Sequence, residues 1–265
     1  MFTYHDYIWQ SDALNVKGVS HGFSTRLGGV SKEPHLVSMN TGFFRGDSDE
    51  TVRENIKRLC AYAGVSEAVA AAPQIHSVTV RTVDLSGAGE GVEREAPQPC
   101  DGFVTAEAGL TLAVRVADCA PLLLCGETAA GGAVIGAAHA GWRGTAAGIA
   151  AVTVEKMKAL GAENIRAAIG ACIHGCCYEV GEDMRDAVAK MQSRAFADRH
   201  IRCRGGRLYA DIAGMNREVL IDAGAVCVDV CPECTACKPY LYHSHRATGG
   251  KRGTMAALIC IGGRR

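Results

Sequence analysis

The amino-acid sequence predicts an α+β fold that forms one domain over residues 1–265. Some segments alternate apolar and polar residues with the period of a strand, whereas others space their apolar residues with the period of a helix. No change in composition marks a linker, and no internal repeat of solenoid length is present. A chain of 265 residues is also long enough to bury a substantial hydrophobic core.

Two kinds of strand are predicted. Residues 77–84 and 110–116 alternate apolar and polar side chains, as expected for strands with one buried face. Residues 122–125 and 133–138 are short apolar runs, which are typical of strands buried on both faces. Residues 226–230 alternate again, with three valines on one face, and predict a further strand near the C-terminus.

The helices are predicted from amphipathic patterns and capping residues. Residues 49–63 have the apolar spacing of a helix, and Asp47 or Ser48 is suited to cap its N-terminus. The Gly-rich stretches 85–91 and 126–132 are predicted loops. The other predicted helices cover residues 145–160, 180–195 and 211–223.

Composition and charge exclude several classes of protein. Lys plus Arg and Asp plus Glu both number 28, so no overall field favours nucleic acid or an anionic membrane. The first 14 residues lack the basic start and apolar core of a signal peptide, and no apolar run reaches the roughly 18 residues of a membrane span. We therefore expect a protein without a nucleic-acid or membrane partner, and the lack of an extended apolar stripe favours a monomer.

The cysteine count indicates the compartment. Thirteen cysteines cannot all pair internally, and the chain is large and shows no export signal. Disulfide scaffolds belong to small secreted proteins. We therefore expect reduced thiols and a cytoplasmic location.

Three dispersed residues, His76, Cys119 and His139, form a candidate metal centre. Zinc readily accepts two imidazoles and a thiolate, and three protein ligands leave its fourth position open for chemistry. Zinc in such a site can lower the pKa of a water to about 7. The alternative is that two buried histidines and a core cysteine are simply scattered along the chain, which composition alone would favour. The sequence around the three residues decides between these interpretations.

Six blocks of this sequence resemble the blocks of one protein family, in the same order. They are VSMNTGFFRGDSDETVRENIKRL, PQIHS, CDGFVTAEAGLTLAVRVADCAPLLL, HAGWRG, AAIGACIHGCCYEVGE and YHSHRATGGKRGTMAAL. The family was long named the multicopper polyphenol oxidase or laccase-domain family and is better described as zinc-dependent purine nucleoside phosphorylases. The resemblance runs from about His21 to the C-terminus, and HAGWRG with an upstream ADC and QxH is highly specific.

This resemblance implies both a fold and a set of ligands. It implies two similar α–β halves packed as an α/β/β/α four-layer sandwich. It also implies that His76, Cys119 and His139 are the zinc ligands and the catalytic centre. Copper can occupy the same donor set, because it ranks above zinc in affinity for nitrogen and sulfur ligands.

The activity that the resemblance implies is purine nucleoside phosphorolysis. Adenosine, inosine, guanosine or methylthioadenosine would react with phosphate to give the base and ribose 1-phosphate or its methylthio analogue. The resemblance also implies adenosine deaminase activity, for which attack of a zinc-activated water on C6 is a sound rationale. Two alternatives stay open: a cytoplasmic peptidoglycan-editing amidase that uses Cys119 as nucleophile, and a copper-dependent polyphenol oxidase.

Phosphorolysis needs positive charge to hold phosphate. Arg45 in FFRGD, Arg143 in GWRG and Arg246 in HSHRATGG are candidates, although each could instead be solvated or paired with a carboxylate. The C-terminal block departs from the family pattern, because Ala247 replaces a second arginine, and Arg252 together with its neighbour Lys251 can supply that charge. This departure concerns the phosphate contacts and not the metal ligands.

The nucleoside needs polar partners as well. Asn40 and Asp47 are candidates for the ribose hydroxyls, although a turn followed by a helix cap also explains Asp47. Gln74 lies two residues before His76 and is a candidate for purine contact.

A second group of cysteines has the spacing C-x3-C-x2-C-x2-C, which can hold a four-thiolate zinc ion or an iron–sulfur cluster. Its members are Cys227, Cys231, Cys234 and Cys237. A half-exposed strand through Cys227 and Cys231 explains the pattern without a metal. The adjacent Cys176 and Cys177 are expected to point apart on a strand, and no chemistry is assigned to them. His243 and His245 are expected on one face of a strand, where a further metal is a weaker alternative.

Overall fold

Two six-stranded sheets pack face to face in the computed structural model of the chain, which describes residues 1–262. The last three positions of the domain predicted over 1–265 lie outside the described residues. The strands are β1 (Phe2–His5), β2 (Ile8–Ser11), β3 (Val19–Ser24), β4 (Val69–Ala70), β5 (Val80–Thr82), β6 (Gly102–Thr105), β7 (Thr111–Val116), β8 (Ala120–Thr128), β9 (Ala133–Ala140), β10 (Ala162–Ile169), β11 (Glu179–Val180), β12 (Ile201–Arg204), β13 (Arg207–Ala210), β14 (Cys227–Val230) and β15 (Met255–Ile261). The helices are α1 (Asp49–Ala63), α2 (Trp142–Ala146), α3 (Ile149–Ala159), α4 (Glu182–Met191), α5 (Arg194–His200), α6 (Ile212–Asp222) and α7 (His245–Thr248).

The strand order explains how distant segments meet. The first sheet has the order β1-β2-β3-β15-β7-β4, the second has the order β14-β10-β8-β9-β6-β5, and β11-β13-β12 form a small third sheet. The large sheets are mixed, because β4–β7, β5–β6 and β10–β14 are parallel and the other pairs are antiparallel. The chain passes from β7 in the first sheet to β8 in the second through the short segment 117–119.

The hydrophobic core lies in three places: between the two sheets, and between each sheet and the helices on its outer face. Phe23 and Leu112 of the first sheet meet Leu123 of the second sheet between the two sheets. Helix α1 covers the outer face of the first sheet, and α3 and α6 pack on the outer face of the second. The expected α/β/β/α four-layer sandwich is therefore confirmed.

Strand β8 shows why an apolar run without alternation forms a strand here. Leu122 and Leu124 pack toward the helices, whereas Leu123 points into the space between the sheets. Successive side chains of a strand face opposite ways, so a strand with helices on one side and a sheet on the other needs apolar residues throughout. Each fully buried leucine contributes about 1.5–3 kcal/mol of transfer free energy.

The predicted helix at 49–63 coincides with α1. Ser48 is its N-cap, because the Ser48 side chain accepts the backbone N–H of Thr51 at 3.2 Å. The helix ends at Gly64, which adopts a left-handed conformation with φ of 64°. The helix predicted at 145–160 is two helices, since Gly148 with φ of 86° separates α2 from α3.

Other predicted elements are shorter than expected or differ in kind. The strand predicted at 77–84 is shorter in the structure and spans Val80–Thr82. The helix predicted at 180–195 ends at Met191, and α5 follows it. The prediction that His243 and His245 share one face of a strand is wrong, because His243 is buried in a loop and His245 begins α7. No helix within residues 1–262 combines the length and apolar composition needed to cross a membrane.

Candidate metal centre

The pairing of β8 with β9 places two of the candidate ligands side by side. Cys119 immediately precedes β8, and His139 lies near the end of β9. These strands are antiparallel, with Ala120 opposite Ala140, so the start of one lies beside the end of the other. His76 comes from the segment before β5, and the ligand atoms of His76, Cys119 and His139 lie within 4.8 Å of one another.

The space around His76 explains a glycine in the HAGWRG block. The Sγ of Cys119 lies 3.9 Å from Nε2 of His76, and the two histidine rings are 4.8 Å apart between centroids. A Cβ atom added at Gly141 would lie only 2.5 Å from Cδ2 of His76 and 3.3 Å from Sγ of Cys119. The chain therefore needs a glycine at this position so that the ligands can approach one another.

A buried carboxylate, Asp101, organises the centre. Asp101 is fully buried and accepts a hydrogen bond from Nδ1 of His139 at 2.9 Å. It also accepts the backbone N–H groups of His76 at 2.9 Å and of Ser77 at 2.7 Å, and the hydroxyl of Ser77 at 2.7 Å. Asp101 thus leaves Nε2 of His139 free for a metal. It also fixes the segment that carries His76, a residue with a φ of 61° in the left-handed region.

Sequence reasoning missed Asp101. Its signal lies in the CDGFV block, in which the residue directly precedes β6. Strand β6 pairs with β9 on one side and with β5 on the other. A residue at this position therefore reaches both histidine-bearing segments.

The three polar groups shift one another's pKa values. Burial raises the pKa of Asp101, but hydrogen bonds from His139 and Ser77 outweigh it and lower the pKa to about 2. Burial lowers the pKa of His139, but Asp101 and Cys119 raise it to about 9. Burial raises the pKa of Cys119, but hydrogen bonds with His139 and His76 lower it to about 6. Without a metal, Cys119 and His139 therefore form a thiolate–imidazolium pair at neutral pH, and thiolate is the form that binds metals.

A cleft of about 870 Å³ opens directly on the three candidate ligands. This volume lies within the usual range for small-molecule sites, roughly 300–1,000 Å³. Arg45, Gln74 and Arg252 line the cleft. Phe44 stands at its lip, 96% exposed and with a φ of 57°. At this position the exposed ring could stack on a planar ligand in the cleft.

Two arginines of the cleft are available to bind an anion. Within residues 1–262, neither Arg45 nor Arg252 forms an ion pair, and Nε of Arg252 is buried without a hydrogen-bond partner. Burial and the nearby charge of Arg45 lower the pKa of Arg252. The other arginines are occupied, because Arg53 pairs with Glu93 at 3.2 Å and Arg115 donates to the carbonyl oxygens of Thr41 and Gly91.

The structure places Arg143 and Arg246 outside the residues that line the cleft. Arg143 is exposed and lies 4.4 Å above the ring of Trp142. The guanidinium of Arg246 donates to the carbonyl oxygens of Cys177 and Glu179, and its backbone N–H donates to Asp118. Burial raises the pKa of Tyr178 to about 12, and the positive charges of both arginines oppose this rise.

The remaining predicted residues, Asn40, Asp47 and Gln74, form hydrogen bonds with each other or with the backbone of residues that line the cleft. The side chains of Asn40 and Asp47 bond to each other at 2.8 Å, and Asn40 also bonds Gly42 and the N–H of Thr254, which line the cleft. The side-chain amide of Gln74 bonds the backbone N–H and carbonyl oxygen of Arg115, both at 2.7 Å. This pairing leaves Gln74 one N–H and one lone pair for a ligand.

Comparison with known proteins identifies the family. A family model described as multi-copper polyphenol oxidoreductase laccase matches residues 20–262, and the chain belongs to this family. A purine nucleoside phosphorylase of Deinococcus radiodurans is 40% identical over 244 residues, which cover 91% of this chain and 88% of the relative. These findings confirm the resemblance found in the sequence.

Solved structures agree with the fold. The Bacillus licheniformis hypothetical protein YfiH superposes with a TM-score of 0.88 at 30% identity and covers 98% of each chain. YlmD from Geobacillus stearothermophilus superposes with a TM-score of 0.84 at 31% identity, covering 100% of this chain and 99% of YlmD.

Proposed function

We propose that this protein is a zinc-dependent purine nucleoside phosphorylase. It would convert adenosine, inosine, guanosine or methylthioadenosine and phosphate to the free base and the sugar 1-phosphate. The observation that carries the proposal is one cleft that joins the His76, Cys119 and His139 donor set to Arg45 and Arg252, which form no ion pair within residues 1–262, and Nε of Arg252 is buried without a partner. Relatives that match over nearly the whole chain are named purine nucleoside phosphorylases, which supports the proposal.

The donor set fits zinc. Two imidazoles and a thiolate converge within 4.8 Å, and Asp101 fixes the Nδ1 side of His139 as a carboxylate does in many zinc sites. Zinc held by these three residues would supply a Lewis acid beside the cleft. Copper fits the same donors, so the metal present depends on supply as well as affinity.

The arginines of the cleft can perform the anion-binding part of phosphorolysis. A phosphate oxygen forms a bond to the anomeric carbon, the C–N bond breaks, and its electron pair passes to the base, which takes up a proton. Arg45 and Arg252 would hold the phosphate, and the buried N–H of Arg252 would gain the partner that it lacks. Phe44 would stack on the purine, an interaction worth about 1–3 kcal/mol per base.

Adenosine deaminase activity is proposed as a side reaction of the same cleft. Hydrolytic nucleobase deaminases use a zinc site made of His and Cys ligands with a position left for water. The donor set of this centre is of that kind. Adenosine would then give inosine and ammonia.

A cysteine hydrolase, such as a peptidoglycan-editing amidase, is the second candidate. Cys119 with its pKa of about 6, His139 with its pKa of about 9 and buried Asp101 form a thiolate nucleophile, an imidazolium that can protonate the leaving group, and an orienting carboxylate. A metal on Cys119 would remove the free nucleophile. The two functions therefore respond oppositely to zinc.

A multicopper oxidase is less well supported. The chain has nine histidines in total, whereas laccases hold several coppers with many paired histidines. Within residues 1–262, the only candidate metal group that contains histidine is the one with His76 and His139. Weak oxidation by copper bound there would be incidental.

The protein is proposed to act in the cytoplasm as a monomer on a nucleoside and phosphate. Thirteen free cysteines support a reducing compartment. The balance of 28 basic and 28 acidic residues supports the absence of a nucleic-acid partner.

The test is product analysis of the zinc-loaded protein with adenosine and phosphate. We expect adenine, ribose 1-phosphate and some inosine, and we expect all three to disappear in His139→Ala. The control is His5→Ala, an exposed histidine outside the cleft, which should retain activity. Absence of nucleoside products from the zinc-loaded protein would contradict the proposal, and amide hydrolysis that zinc inhibits would favour the cysteine hydrolase.

A further inference from the structure

Two loops bring four cysteines together at one edge of the second sheet. Cys176 and Cys177 lie in the loop after β10, and Cys234 and Cys237 lie in the loop after β14. Strands β10 and β14 are parallel, and a bridge between Cys172 and Cys234 continues their pairing. Both loops therefore leave the sheet at the same edge, where their side chains can meet.

The sulfur atoms have the spacing of ligands to a single ion. The Sγ of Cys237 lies 3.5 Å from that of Cys176 and 3.3 Å from that of Cys177, and all four Sγ atoms lie within 4.8 Å of one another. Tetrahedral zinc with Zn–S bonds of about 2.3 Å separates its sulfur ligands by about 3.8 Å. An iron–sulfur cluster distributes its cysteine ligands over two or more iron atoms, so four ligands do not converge on one centre.

This group differs from the one that the sequence spacing left open. Cys227 lies on β14, as the strand interpretation expected, and Cys231 is buried elsewhere, so neither joins Cys234 and Cys237. The expectation that Cys176 and Cys177 point apart on a strand is wrong, because both sulfur atoms lie within 3.5 Å of Sγ of Cys237. They lie in a tight turn, in which His174 accepts two backbone N–H groups, and not on a strand.

The four cysteines are free thiols, and one of them accepts a backbone hydrogen bond. The backbone N–H of His174 donates to Sγ of Cys234 at 3.4 Å. No disulfide joins these thiols, whose separations far exceed the roughly 2.05 Å of an S–S bond.

We propose a second zinc site, closed by four thiolates, whose ligands are Cys176, Cys177, Cys234 and Cys237. Four protein ligands complete the tetrahedral coordination of zinc, so this site has a structural role and leaves no position for a substrate. Zinc displaces the thiol protons when it binds, and its binding free energy stabilises the loops that carry the ligands.

The loops that this zinc joins also border the reaction centre. Arg246 donates to the carbonyl oxygen of Cys177 at 3.1 Å, and Thr235 donates to Asp118 at 2.6 Å. Asp118 also accepts the backbone N–H of Arg246 at 2.7 Å and directly precedes the ligand Cys119. The second zinc therefore holds in place the segments that support one side of the centre, without touching substrate.

Zinc content measured on the full-length chain tests this site without an activity assay. We expect about two equivalents of tightly bound zinc in the unmodified chain and about one in Cys237→Ser or His139→Ala. The matched control is Cys227→Ser, because Cys227 belongs to the sequence-predicted group but not to the observed one, and it should keep both equivalents. Equal zinc content in Cys237→Ser and the unmodified chain would overturn the proposal, as would loss of one equivalent in Cys227→Ser.

A measurement on folded His139→Ala covers the case in which Cys237→Ser does not fold. Cobalt added to this variant should give the intense sulfur-to-cobalt absorption of a four-thiolate site, and zinc should displace it. Zinc should also protect Cys176 and Cys237 from alkylation, whereas exposed Cys203 should react equally with or without zinc. Absence of both the cobalt spectrum and the protection overturns the site and leaves the phosphorylase proposal unaffected.

Discussion

The two groups of candidate metal ligands in this molecule differ in both coordination and setting. The first has two histidines and one cysteine, faces a cleft of about 870 Å³ and is oriented by the buried Asp101. The second has four cysteines, and none of them lines that cleft. An incomplete ligand set beside a cavity suits a reaction, whereas a complete set without a cavity suits a structural link.

The supporting structure differs in the same way. His139 lies within β9 and Cys119 directly precedes β8, so the strands position these two residues before any metal binds. The second group lies entirely in loops, which the bridge between Cys172 and Cys234 joins beyond the ends of β10 and β14. Zinc should therefore change reactivity at the first group and loop order at the second.

The largest expected difference between the groups is thiol reactivity in zinc-free protein. At pH 6 about half of Cys119 should be thiolate, against about one thousandth of a thiol with a pKa of 9.0. In the second group, burial and the neighbouring thiol of Cys237 raise the pKa of Cys177 to about 11. Alkylation followed by peptide mass mapping from pH 4 to 10 should give an inflection near 6 for Cys119 and none below 9 for Cys177. An inflection of Cys119 above pH 8 would show that no thiolate–imidazolium pair exists.

The next largest effect should come from Asp101→Asn. Removal of the carboxylate that orients His139 should reduce zinc affinity at the first group and phosphorolysis by about 10- to 100-fold. The second group should keep its zinc, because Asp101 does not contact it. Chelator competition measures both affinities. Ser77→Ala, which removes only one hydroxyl donor to Asp101, is the matched control and should have a smaller effect. Equal loss of zinc from both groups would indicate a general loss of folding instead.

The same contrast shows what the sequence could reveal. The convergence of His76, Cys119 and His139 could be expected because a specific resemblance covered all three residues. The strands could be predicted because their apolar spacing is visible in the sequence. Helix α1 was predictable from its cap and apolar spacing, but the break at Gly148 was not, because an isolated glycine also occurs within helices.

The second group could not be read from spacing. Cys227, Cys231, Cys234 and Cys237 are neighbours in sequence, but the strand β14 carries the first away from the last two. Cys176 joins the group only because β10 pairs in parallel with β14, which is a tertiary contact between distant segments. Asp101 was missed for the same reason, since its partners His76 and His139 lie 25 and 38 residues away along the chain.

The smallest expected effect concerns the proposed phosphate site in the cleft beside the first group. Arg252→Ala should raise the KM for phosphate about tenfold, because a charged hydrogen bond in a cleft open to solvent is worth about 1.5 kcal/mol. The KM for the nucleoside should change less, since Phe44 and not Arg252 is proposed to bind the base. Initial rates at varied phosphate and fixed inosine measure the effect, with Arg217→Ala, an exposed arginine on α6, as the control. If Arg252→Ala lowered kcat without changing the KM for phosphate, phosphate would not bind between Arg45 and Arg252. The cleft beside the first group would then be a site for the nucleoside alone.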